Sequence, residues 1–66
     1  MEAIETVIVN FKIYDCNTMV CLESFSMGCK FPKTWDYAMR FRKLVSYCNF
    51  LHRKHPAQEF KFKLSE

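Results

Sequence analysis

The stretch TWDYAMRFRKLVSYCNFLHRKHP, residues 34–56, decides the fold, because here the chain repeats its apolar side chains at helical spacing. Tyr37, Ala38, Phe41, Leu44, Val45, Cys48 and Leu51 recur every three or four positions and predict one apolar stripe of an amphipathic helix. Thr34 is the expected N-cap, and Asp36 is expected in the first turn, facing the positive end of the helix dipole. His52, Arg53, Lys54 and His55 suit the negative end, and Pro56 stops the helix.

The flanks read at period two instead. From Ile4 to Tyr14, Val7, Val9, Phe11 and Ile13 share one face of a strand, with Ile8, Asn10, Lys12 and Tyr14 on the other. The first half of this strand is apolar on both faces, which suits a central position. Asp15-Cys16-Asn17-Thr18 supplies turn formers whose side chains bond their own backbone, so a hairpin reversal is expected there. Met19 to Phe31 is the return strand, with its phase broken at Glu23, where a bulge is expected, and with Gly28 marking a bend. Phe60, Phe62 and Leu64 alternate with Lys61 and Lys63, the pattern of a strand with one wet face.

The expected architecture is α+β, a single small domain over residues 1–66 in the order β-β-α-β. Its antiparallel sheet would have three strands ordered 2-1-3, with the amphipathic helix packed on the face of Val7, Val9, Phe11, Ile13, Phe60, Phe62 and Leu64. Nothing is left to cover the opposite face, which carries Ile4, Ile8 and Tyr14, with Val20 and Leu22. Unless that face is wet it is an interface, and a homodimer built back to back is the simplest way to bury it.

Charge divides unevenly along this plan. Lys30, Lys33, Arg40, Arg42, Lys43, Arg53 and Lys54 stand against Asp36 alone in the helical third, whereas Glu2, Glu5, Asp15 and Glu23 outnumber Lys12 before it. The tail balances Lys61 and Lys63 with Glu59 and Glu66. A basic helix mounted on an acidic-to-neutral sheet marks a binding face. The whole-chain charge of +3 is too mild for a protein that coats itself in polyanion.

Size and composition exclude other classes. Sixty-six residues allow one thin core and leave little room for a supported substrate cleft. Hydrophobic content of 50% and aromatic content of 17% exclude a disordered chain. The start lacks the basic and long apolar regions of a secretory signal, and no apolar run approaches the roughly 18 residues of a membrane span. A cytoplasmic location is expected, with Cys16, Cys21, Cys29 and Cys48 reduced. On cysteine count alone, a secreted protein with two disulfides is the alternative.

Cys16, Cys21, Cys48 and His52 form a C-x4-C and C-x3-H pattern that invites a tetrahedral metal site. The spacing is looser than in ordinary zinc modules and has no Gly or Pro at the knuckle, so these cysteines read first as small apolar residues and no metal is assigned. A Cys48–His52 nucleophile pair would need an orienting third group and an exposed sulfur, yet Cys48 lies on the core stripe. The carboxylates are scattered, and one glycine cannot build a phosphate-cradling loop. No catalytic residue, cofactor or enzymatic activity is expected.

Outside the core stripe, Trp35, Met39, Lys43, Tyr47, Phe50 and Lys54 fall three or four apart and form a second stripe, flanked by Arg40, Arg42 and Arg53. Aromatics, Met and Arg are the residue types that protein interfaces concentrate. The expected function is that of a small intracellular inhibitor or adaptor docking on an acidic protein surface through these nine residues. The alternative is a nucleic-acid-binding regulator using the same helix, although no helix-turn-helix, RNP-type sequence, GXXG loop or zinc-finger spacing is present. In size and architecture alone, the chain resembles the small phage-encoded proteins that block or mimic a host factor.

Overall fold

Alternation of Val7, Val9 and Phe11 with Thr6, Ile8 and Asn10 builds the first strand, β1 (Ile4–Asp15). In the computed structural model, which describes residues 3–64, it is followed by β2 (Cys21–Pro32), α1 (Tyr37–Lys54) and β3 (Gln58–Leu64). Both other strands pair antiparallel with β1, so the sheet has the order β2-β1-β3. Glu2 and Glu66, which enter the charge count, lie outside the described residues.

The hairpin turn follows from side-chain chemistry. The Asp15 carboxylate accepts the backbone N–H of Asn17 at 2.8 Å and of Thr18 at 3.0 Å, which closes the chain on itself. Met19 takes φ 60°, left-handed backbone that costs a side-chain-bearing residue about 1–2 kcal/mol. For that reason β2 starts at Cys21, two residues later than the pattern suggested. The bulge expected at Glu23 is present: Ile13 faces Glu23 and Tyr14 faces Cys21, which leaves Leu22 as the extra residue. Gly28 does not mark a bend. It stands opposite Ile8 in unbroken register, where a Cβ would come within 3.0 Å of the Thr6 methyl.

The helix begins later than expected. Asp36, not Thr34, is the N-cap, and its carboxylate accepts the Met39 N–H at 2.9 Å. Thr34 belongs to the preceding turn, in which the Trp35 N–H donates to the Pro32 carbonyl at 3.0 Å. At the far end the His55 N–H donates to the Leu51 carbonyl at 2.9 Å. His52, in the last turn, has Nδ1 2.6 Å from the Gln58 carbonyl oxygen. A carbonyl only accepts, so Nδ1 carries the proton and ties the end of α1 to β3.

Val7, Val9, Phe11, Phe31, Leu44, Cys48 and Leu64 form the buried core, with Cys29, Trp35, Phe60 and Phe62 packed against it. All of its sheet members share the parity of Val9, and Leu44 and Cys48 are the buried residues of α1. The stripe is narrower than the periodicity implied. Tyr37, Ala38, Phe41 and Val45 are exposed, because α1 lies closest to β3 and these residues flank rather than face the sheet. Phe41 still meets the Phe62 ring at 5.0 Å. On the other side the helix leaves Phe25 and Met27 of β2 about two-fifths exposed, at 39% and 40%. The molecule measures 44 × 19 × 16 Å, with a radius of gyration of 13.1 Å against about 11 Å for a compact chain of this length.

Candidate functional site: the outward side of the basic helix

The 18 residues of α1 include no Asp or Glu, so the helix has no internal acid to neutralise Arg42, Lys43, Arg53 and Lys54. Among the described residues none of these four forms an ion pair. Beside them, Met39, Tyr47 and Phe50 keep 44%, 42% and 44% of their surface exposed. Spacings of three and four residues bring these apolar groups and the cations onto adjoining rows of one helix surface.

Local contacts hold several of these side chains. The Tyr47 ring meets Phe11 edge-on at 6.3 Å, and Phe11 in turn stacks on Phe25 at 5.5 Å, so Tyr47 is braced by the core at its base. The Lys54 ammonium lies 4.7 Å from the Phe50 ring centroid, a cation–π contact that keeps a charge beside an apolar face. Met39 lines a shallow depression of about 360 Å³ together with Trp35, Arg42, Lys43 and Ser46. Such a surface can bury large side chains against a partner while donating charge at its rim.

Two of the expected site residues are placed differently from the rest. Arg40 turns toward the sheet, where its Nη2 lies 3.0 Å from Glu5 Oε2 and its guanidinium lies 5.8 Å from the Phe31 ring centroid. Its side chain is only 15% exposed. Trp35 precedes the helix, is half-buried and packs 6.2 Å from Phe31. Both residues brace the junction of β2 and α1 instead of projecting from it, although Trp35 still forms one wall of the Met39 depression.

One surface was absent from the expected set. Tyr37, Ala38, Phe41, Arg42 and Val45 line a depression of about 500 Å³ on the opposite flank of the helix. Its signal was visible as helical periodicity, but periodicity alone assigns such residues to the core.

Cys16, Cys21, Cys48 and His52 do not form a cluster. Cys48 is in the core, Cys21 is exposed with its Sγ 3.5 Å from the Glu23 carbonyl oxygen, and His52 is committed to Gln58. Among the described residues no three His, Cys, Asp or Glu side chains gather as metal ligands. Burial pushes the thiols of Cys48 and Cys29 up from their ordinary pKa, which favours the protonated, unreactive form. Among the described residues no helix is long and apolar enough to cross a membrane. No protein-family model, curated protein or solved structure matches the chain.

Proposed function

We propose that this protein is a small non-enzymatic binding domain, an inhibitor or adaptor that docks on an acidic protein partner through the outward side of α1. One observation carries the reading: a helix without a single acid exposes Met39, Tyr47 and Phe50 among Arg42, Lys43, Arg53 and Lys54. Exposed Tyr and Arg in such a setting are the usual anchors of an interface, and burying them on a partner recovers the apolar area left in water. Uncompensated cations at the rim steer association toward negative surfaces and discourage wrong partners. Arg40 and Trp35 act as positioning residues, holding the start of the helix on Phe31. A cytoplasmic setting, in which the four cysteines stay reduced, goes with this reading. Action on a host factor, as by a phage-encoded inhibitor, is the biological form that this size and non-catalytic surface suit.

The test is affinity capture from a lysate with the tagged chain, with and without nuclease, repeated with Tyr47→Ala and Phe50→Ala. The expected result is a stoichiometric protein that survives nuclease and is lost, by tenfold or more in affinity, with either variant while circular dichroism stays unchanged. Undiminished capture by both variants would refute the assignment of this face.

A further inference from the structure

The open face of the sheet carries a second charged surface, which the segment charges conceal because the tail is balanced overall. Lys12 on β1 stands directly across from Lys61 on β3, and Asn10 stands directly across from Lys63. Directly opposed residues in an antiparallel pair have Cβ atoms about 5 Å apart, diagonal ones about 7 Å, and like charges so placed repel. Among the described residues no carboxylate forms an ion pair with any of the three lysines. The Lys61 ammonium lies over the Tyr14 ring at 5.4 Å instead, and Glu59, across from Tyr14, is the acid nearest in register.

Together with Asn10, Ser24 and Phe62, the three lysines line a depression of about 400 Å³ that crosses all three strands. Its polar chemistry is that of donors. Ser26 Oγ–H donates to Asn10 Oδ1, which commits the carbonyl end of that carboxamide and leaves its N–H groups as the end that can bind an acceptor. A hydroxyl, an amide N–H2 and three ammonium groups around one concavity describe a receptor for anionic oxygens.

We infer that this face binds the phosphates of a single-stranded nucleic acid. An anion seated between Lys12 and Lys61 turns their repulsion into attraction, whereas a second copy laid back to back would press the same lysines against themselves. Shape selects the single strand. The lining spans three strands, wider than the two-stranded ribbon that a major groove admits. Tyr14 adds an aromatic plane at one end, and a base stacking there displaces Lys61 from the ring and frees its ammonium for a phosphate. This surface is distinct from the helix face proposed for a protein partner, so either assignment can fail without the other.

The test uses the whole chain and a fluorescent 12-residue oligothymidine, with anisotropy read between 50 and 200 mM salt. The exposed lysines allow a triple variant, Lys12→Gln with Lys61→Gln and Lys63→Gln, to fold as the parent does. It should lose at least tenfold in affinity at 50 mM salt, and its slope of log affinity against log salt should become shallower by about 2, at roughly 0.7 per lost phosphate contact. Arg42→Gln with Lys43→Gln should change affinity less than twofold. The inference is overturned if the oligonucleotide does not bind at 50 mM salt, if the helix variant costs as much as the sheet variant, or if a duplex of the same length binds more tightly. Displacement of the oligonucleotide by an equal charge concentration of polyglutamate would overturn it too, by assigning the face to acidic peptides.

Discussion

The Arg40 guanidinium donates to the Glu5 carboxylate at 3.0 Å across 35 positions of sequence, joining the first turn of α1 to the beginning of β1. The same group covers the Phe31 ring, and its Nε is buried without a hydrogen-bond partner. The pair is partly exposed on the Glu5 side, so its own worth is about 0.2–1 kcal/mol. Packing of the Arg40 stem is the other half of its role.

These two contributions separate by substitution. Arg40→Met keeps a stem over Phe31 and removes both the ion pair and the unpartnered Nε, so urea denaturation should show a loss below about 1 kcal/mol. Arg40→Ala also uncovers Phe31 and should lose on the order of 1 kcal/mol more. Equal losses in the two variants would assign the whole effect to charge.

Asp15 makes the stability of the hairpin depend on pH. Backbone N–H groups of Thr18 and Asn17 hold its carboxyl below the ordinary carboxylate range, because they stabilise the ionised form. A depressed folded-state pKa gives stability that is present above the ordinary carboxylate range and is lost as pH falls through the folded value. Asp15→Ala should therefore lower the melting temperature at pH 7, and the gap from the parent should shrink as pH falls toward 3. A gap that stayed constant over that range would place the effect in the turn backbone rather than in the carboxylate.

The four thiols should react in an order set by burial. Alkylation with iodoacetamide at pH 8, followed by peptide mass spectrometry, should label exposed Cys21 first and buried Cys48 last. Burial raises the Cys48 pKa and shields its sulfur, so its labelling should accelerate only in denaturant. Comparable labelling rates for Cys21 and Cys48 in native buffer would contradict the placement of Cys48 in the core.

Much of the fold was legible because it depends on short-range pattern. The two-faced apolar run Val7-Ile8-Val9 predicted that β1 would be central, and the phase break at Glu23 predicted the bulge that Leu22 forms. Periodicity gives the spacing of a helix face but not its width. Phe41 and Val45 therefore read as core, although α1 sits over β3 with its buried line through Leu44 and Cys48. Asp36 displaced Thr34 as the cap because a carboxylate reached the Met39 N–H, and that delay put Trp35 ahead of the helix.

The candidate site was legible to the same depth. Exposure of Met39, Tyr47 and Phe50 agrees with helical phase, whereas Arg40 of α1 pairs with Glu5 of β1, a contact that no local pattern encodes. The Lys12–Lys61 opposition was hidden for the same reason, since it depends on the register between two strands far apart in sequence.

The 44 Å long axis, more than twice either of the others, governs how the protein travels through a porous matrix. Retention in such a column follows hydrodynamic radius, and a rod-like chain of 8.0 kDa sweeps out more volume than a sphere of equal mass. A single copy will elute ahead of spherical standards of its weight. Early elution is therefore the behaviour of the lone molecule, and counting its copies takes light scattering or sedimentation.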